Sequence, residues 1–358
     1  MEQLRIGLVG AGLIGATHST VLREIAAEWP ERVQLTAVAD PLPEHRRRAV
    51  DLYGYRQTFA DAEALLARAD VNVVFVCTPT KFHADIVRAA AGTGKHLFCE
   101  KPLAMSAAEA EAMMLAVRQG GVKAQIGLVL RFSSIFHVMR DLLRDPAVGD
   151  PVAVIFRDDQ CLPIRGVHDT AWRKDRTLTA GGTLIEHGVH DLDLLTWMFG
   201  PIRRLRAWEQ NRAGHPGVED YLAAEIELAS GVRAQLINVW HDMAQRPSNR
   251  RLEVFCHRGF FATEHDMYGD VVVQRADGEQ LTMPAAEVLQ RFETLLGRTD
   301  DTFQRWYSLP YFLQDLTFVE ALLDDRDPAP GLEIGLQAQR LAEAVYTAAR
   351  TGEEVEIG

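Results

Sequence analysis

Two groups of residues in this sequence have types and spacings that suit chemistry. The first is Glu100-Lys101-Pro102, which follows the short apolar run His96–Cys99. Pro102 restricts Lys101 to extended backbone and permits a cis peptide bond. An ammonium at the carboxyl end of a strand points at a cleft, where it can hydrogen-bond a hydroxyl or carbonyl oxygen and stabilise developing negative charge. A surface ion pair between Glu100 and Lys101 is the competing reading, and position favours chemistry. The second group is Gly181-Gly182-Thr183-Leu184-Ile185-Glu186-His187-Gly188-Val189-His190. A helix from Thr183 to Phe199 puts Glu186 and His190, four apart, on one face. Histidine is the usual base near neutral pH, and a carboxylate one turn away can orient it or hold substrate. The glycines would let backbone approach a ligand. Capping and solvation of the helix by the same polar groups is the alternative. A metal is not expected: Glu186, His187 and His190 are all ligand types, but their spacing is wrong for His-x-x-x-His, and Glu186 and His190 alone would be too few.

The elements that must position these residues begin at the N-terminus. An apolar run, Leu4–Val9, is followed by Gly10, Gly12 and Gly15 and then by a helical stretch, Leu13–Glu28. Gly10 permits a tight turn, Gly12 lets a pyrophosphate approach the backbone, and Gly15 lets helix pack on strand. The phosphates would rest on the free N–H groups around Leu13 and Ile14, at the positive end of the helix dipole. A second apolar run, Val33–Ala39, ends in Asp40, 25 residues past Gly15. That is close to the ~20 expected for the acid that binds the ribose hydroxyls. Strand, glycines, helix, strand and acid in this order predict a dinucleotide site. Cys77-Thr78-Pro79-Thr80 and His83, after a third apolar run, then predict a loop over the nicotinamide half, with Thr80 capping a helix begun by Lys81.

The 358 residues are 47% hydrophobic and 25% charged, an ordinary globular composition, and the length suggests two domains. A net charge of −12 argues against nucleic acid as a partner, because nothing supplies the basic face that phosphate binding needs. The densest basic patch, His45–Arg48, reads as a solvated helix face close enough to Asp40 to bear on cofactor choice. Cys77, Cys99, Cys161 and Cys256 are widely spaced, which predicts reduced thiols. The chain enters a strand at Leu4 and has no apolar run of membrane length, so a soluble cytoplasmic protein without a signal peptide is expected.

Apolar runs and helical patterns alternate up to about residue 125, which predicts a doubly wound parallel sheet covered on both faces. Ligands in such sheets bind beyond the carboxyl ends of the strands, where Asp40, Thr78–Thr80 and Glu100–Pro102 fall. Beyond residue 130 the pattern predicts a strand at Val152–Phe156, a loop over residues 158–182, the helix with Glu186 and His190, and then six strands separated by short turns. That is an α+β domain with a large open, mainly antiparallel sheet, whose free face would pair with another subunit. The expected division is 1–125, 126–330 and a C-terminal helix, 331–358, packing back on the first domain.

Gly-Ala-Gly-Leu-Ile-Gly, Cys-Thr-Pro-Thr with His83, Glu-Lys-Pro-Leu, Trp-Arg-Lys-Asp (172–175) and the Gly-Gly-Thr-Leu-Ile-Glu-His-Gly-Val-His run together resemble the glucose–fructose oxidoreductase / inositol 2-dehydrogenase (Gfo/Idh/MocA) family over nearly the whole chain. The resemblance implies a Rossmann domain, an open-sheet second domain and a homodimer or homotetramer. It implies that Lys101 is the catalytic lysine and His190 the acid/base. Glu186 stands where many members carry aspartate, which keeps the charge on a longer arm. A sugar or cyclic polyol would then surrender a proton to His190 and a hydride to the nicotinamide, with Lys101 on the same oxygen. Arg131, Asp158, His168, Trp172, Arg173 and His187 are candidate substrate contacts, and Glu100 lies beside the cofactor. Asp40 repels a 2′-phosphate, and Pro41 and Pro43 space Arg46 and Arg47 from the ribose, so NAD is expected, with NADP as the alternative. Two other functions fit the same residues: a redox-neutral hydrolase or epimerase that retains NAD, and a non-enzymatic dinucleotide sensor with a protein partner. Retention of both Lys101 and His190 weighs against the sensor.

Overall fold

The computed structural model describes every residue except 1–2, 165–169, 277 and 299–301. Strands β1 (Leu4–Val9), β2 (Val33–Ala39), β3 (Gln57–Phe59), β4 (Val73–Val76), β5 (His96–Glu100) and β6 (Ala124–Gly127) form a parallel sheet in the order β3-β2-β1-β4-β5-β6. The helices of this region are α1 (Leu13–Glu28), α2 (Pro43–Arg48), α3 (Ala62–Leu66), α4 (His83–Gly92) and α5 (Ala107–Gly120). All four residues of β4 and five of six in β1 are buried, as strands covered on both faces must be. The strand order reverses between β1 and β4, and ligands of such sheets bind at that point. Only β3, three residues long, escapes the sequence pattern.

A second sheet has nine strands: β7 (Pro151–Cys161), β8 (Ile202–Gln210), β9 (Tyr221–Leu228), β10 (Arg233–His241), β11 (Asn249–Cys256), β12 (Gly259–Thr263), β13 (Val271–Arg275), β14 (Leu281–Met283) and β15 (Val355–Glu356). Their order is β14-β13-β12-β11-β7-β10-β9-β8-β15, and the pairing is antiparallel except between β7 and β10. Burial alternates along β9 and β10, so one face is packed and the other open. Trp208, Val152 and Phe255 are exposed on strands of this sheet. Helices α6 (Ser134–Leu142), α7 (Val189–Phe199) and α8 (Ala285–Leu296) accompany it.

The expected loop from residue 158 is corrected here, since β7 continues to Cys161. The run Arg157–Gln160 looked too polar for a strand. Asp158 lies directly opposite Arg250 of β11 and is bonded to it, so a buried charge pair replaces the usual apolar contact.

Helices α9 (Pro310–Leu323) and α10 (Leu332–Thr351) close the chain. By contacts the chain forms two units, residues 1–129 with 311–339 and residues 130–310 with 340–358, where the sequence suggested divisions at 125 and 330. Among the described residues no helix is long and apolar enough to cross a membrane.

Candidate active site

The turn between β1 and α1 is shaped for close approach. Gly10 has φ +92°, and a Cβ there would lie 2.6 Å from the Cys77 carbonyl oxygen. A Cβ on Gly15 would lie 2.0 Å from the Gly10 carbonyl oxygen. A Cβ on Gly12, by contrast, would meet nothing within 4 Å. Gly12 caps α1 without a side-chain hydrogen bond, so the first N–H groups around Leu13 and Ile14 receive no side-chain acceptor from the cap. Open space beside uncapped donors at a helix N-terminus fits a diphosphate.

Asp40, buried at the end of β2, accepts from the Ala11 N–H at 2.7 Å and the Leu42 N–H at 2.9 Å, and meets His45 Nδ1 at 3.2 Å. The expected ribose acid therefore also ties its strand to the glycine turn. Arg46 donates to the Asp40 and Pro41 carbonyls, and Arg48 donates to the Ala11 carbonyl at 2.6 Å.

Pro79 precedes a tight 3₁₀ turn, Thr80–Phe82, which leads into α4 with no side-chain cap, so Thr80 does not take the capping role expected of it. Instead the buried hydroxyls of Thr78 and Thr80 lack a partner among the described residues, as suits a ligand-facing loop. His83 is buried between two carbonyls, Thr78 at 2.8 Å from Nε2 and Pro102 at 2.9 Å from Nδ1. Sequence reading put it on the cofactor; both its nitrogens are engaged with the backbone of two strand-end loops. Burial lowers its pKa, and a neutral ring donates to one carbonyl at a time. Glu100 is buried at the end of β5, and its Oε2 accepts the Lys101 N–H at 3.0 Å. The Lys101–Pro102 peptide is cis.

In the second unit, Leu184–Gly188 forms a π turn that runs into α7, where a uniform helix was expected. Such turns are frequent at functional sites. The Gly181-Gly182 pair has a different task from the expected approach to ligand. A Cβ on Gly182 would lie 1.9 Å from the Glu219 carbonyl oxygen, and one on Gly181 would lie 2.3 Å from the Tyr346 hydroxyl. Glu219, which sequence reading missed, accepts from the N–H groups of Gly182 (2.7 Å) and Leu184 (3.0 Å) and from the Tyr346 hydroxyl (2.9 Å). No short-range motif reveals it, because it lies 37 residues beyond Gly182.

Burial pushes the Glu219 carboxyl up to about 7, against the pull of those three donors. A raised acid binds its proton more tightly folded than unfolded, so its stabilisation is present in acid and fades as pH rises from about 4.5 to 7, by roughly 3 kcal/mol at most. The stability advantage of wild type over Glu219→Gln is expected to shrink between pH 5 and pH 8 in chemical denaturation. An advantage that stays flat or grows would refute the assignment.

Glu186 is fully buried, and its Oε2 accepts from Arg173 Nε at 2.9 Å. Arg173 also donates to Thr170 and stacks 4.7 Å from the Trp172 ring, so three expected site residues do come together. His187 Nδ1 accepts from Trp240 Nε1 at 2.8 Å. His190 is buried on α7, and the next residue, Asp191, bonds Asn238 (2.7 Å) and Arg250 (2.9 Å). Arg250 also engages Asp158 and Asp266, and burial raises the Asp158 pKa despite the guanidinium. Asp158 thus braces the helix that carries His190. Arg131, another expected contact, is bidentate to Asp193 at 2.7 and 2.8 Å. His168 lies outside the described residues. Among the described residues no cluster of three or more His, Cys, Asp or Glu could hold a metal.

These two units match known sequences. Residues 4–128 match the GFO/IDH/MocA oxidoreductase family, NAD-binding Rossmann fold, and residues 136–262 match a C-terminal domain of the same family. The chain belongs to the GFO/IDH/MocA family. Inositol 2-dehydrogenase of Rhizobium meliloti is 27% identical, with 99% of each chain covered. The 1,5-anhydro-D-fructose reductase of Ensifer adhaerens is 28% identical, covering 97% of this chain and 98% of its own. The crystal structure of an oxidoreductase domain protein from Kribbella flavida superimposes with a TM-score of 0.84 at 26% identity, covering all of both chains. As a member of the family the protein is an NAD-dependent oxidoreductase, as the glycine turn and Asp40 led one to expect.

Proposed function

We propose that this GFO/IDH/MocA member oxidises a ring hydroxyl of a sugar or cyclic polyol, with Lys101 and His190 acting on the same substrate oxygen. The observation that carries this is the placement of Lys101. It follows directly on β5, in the sheet that holds the glycine turn, and its N–H is held by buried Glu100. The relatives named for inositol and for 1,5-anhydro-D-fructose support the substrate class. Bound NAD supplies the hydride acceptor. Gly10, Gly12, Leu13, Ile14, Gly15 and Asp40 hold its adenosine diphosphate half, and Thr78, Pro79 and Thr80 its nicotinamide half. His190 takes the hydroxyl proton, and Lys101 donates to the oxygen as charge develops. Glu186, fixed by Arg173, orients His190 or a neighbouring hydroxyl, with Trp172 and His187 lining the substrate. His83 holds the Thr78 and Pro102 loops.

A panel of inositols, sugars and sugar acids, read by absorbance at the NADH band with NAD and NADP in parallel, tests the reading. Net NADH from a cyclic polyol, with NAD preferred, is expected. Consumption of a sugar without net NADH would replace it with redox-neutral chemistry. The open sheet face around Trp208 and Phe255 would join subunits as a homodimer or homotetramer, and a monomer mass by light scattering would remove that expectation. Four free cysteines suit a reducing compartment such as the cytoplasm.

A further inference from the structure

We infer that His18 is a positioning residue for Lys101, acting through Glu100 and anchored by Asp315. The inference rests on the proposed role of Lys101. His18 lies on α1, five residues into the helix that leaves the glycine turn. Its ring is fully buried. Nδ1 lies 2.8 Å from Asp315 Oδ2 on α9, and Nε2 lies 3.1 Å from Glu100 Oε1 on β5. Burial raises the Asp315 pKa while His18 pulls it down; with both carboxyls ionised, both ring nitrogens donate and the ring is an imidazolium. Burial opposes the charge, yet Asp315 and Glu100 outweigh it and hold the pKa at about 10.

The walls around this group are apolar. The rings of Phe98, Phe75 and Tyr311 stand 5.0, 5.6 and 5.9 Å from the imidazole. Glu100 and Asp315 are the charged groups that face it, and Tyr311 is the titratable ring beside them. Glu100 is committed at both oxygens: Oε1 meets His18, and Oε2 takes the Lys101 N–H. Gly127 on the neighbouring β6 leaves room for that rotamer, since a Cβ there would lie 2.6 Å from Glu100 Oε1. Three buried charges are a poor source of stability compared with apolar packing. What they supply is a fixed chain of contacts from the dinucleotide helix to the backbone of the lysine.

The chain has five lysines, Lys81, Lys95, Lys101, Lys123 and Lys174. Reductive methylation with ¹³C-formaldehyde therefore gives a countable set of NMR signals, and Lys101 is assigned by its loss in Lys101→Arg. NADH is titrated into wild type, His18→Gln and Asp315→Asn, with its Kd read by fluorescence. In wild type the Lys101 signal is expected to move on NADH binding. In His18→Gln the Kd is expected to hold while that movement falls to less than half, and Asp315→Asn is expected to shift it in the same direction. A purely structural role would lower the melting temperature and leave the Lys101 response intact. Wild-type movement in a variant that binds NADH overturns the inference while the role of Lys101 stands. No movement in wild type overturns the role of Lys101 itself. Should His18→Gln fail to fold, the near-isosteric Asp315→Asn decides.

Discussion

Lys101→Ala is expected to lower kcat by about 10²–10³-fold, while the Kd for NADH keeps its wild-type value. The size follows from removing one preorganised donor aimed at an oxygen that gains charge in the transition state. The selectivity follows from where the residue sits. Lys101 follows directly on β5, whereas the glycine turn and Asp40 lie at the ends of β1 and β2, and Asp40 bonds Ala11, Leu42 and His45. Steady-state kinetics on the polyol that gives turnover, paired with NADH fluorescence, separates the two parameters. Near-normal turnover removes Lys101 from the chemistry. An equal loss of NADH affinity turns it into a cofactor residue.

The second large effect comes from two glycines three residues apart. A methyl on Gly15 would press to 2.0 Å from the backbone oxygen of Gly10, and backbone cannot yield as a flexible side chain can. Gly15→Ala is therefore expected to destabilise the first unit by at least ~3 kcal/mol, at the upper end for an overpacked site, and to abolish NADH binding. Gly12→Ala meets no protein atom within 4 Å, so its melting temperature should stay near wild type. Its NADH affinity should nonetheless drop, because the methyl would occupy the space a diphosphate needs. Thermal melts with and without NADH read both. Full NADH affinity in Gly12→Ala would move the diphosphate elsewhere.

The first sheet was largely legible because every strand but β3 is buried on both faces, so its apolar run stands out, and glycine spacing marks the turn that matters. The strand at Arg157–Gln160 was not legible, because its partner is the charge on Arg250, ninety-odd residues away. Glu219 and His18 were missed for the same reason. One caps a helix from a distant loop, between β8 and β9, and the other is explained only by Asp315 and Glu100, 297 and 82 residues off. The two Gly181-Gly182 contacts show the converse error: a glycine signals close approach, yet the sequence does not say whether ligand or protein arrives. His83 illustrates it too, since a polar residue near a strand end can serve the backbone as readily as a bound molecule.

The counter-ion Asp315 belongs to a segment that the ribosome makes long after β1 to β6, with residues 130–310 in between. A nascent chain that has just completed the parallel sheet carries the whole glycine turn but has no second carboxylate for the imidazole on α1. Maturation of that half must wait for the other half to be translated. Proteolysis of chains arrested at residue 250 should find it still susceptible, and the protein's order of assembly is then set by the order in which its message is read.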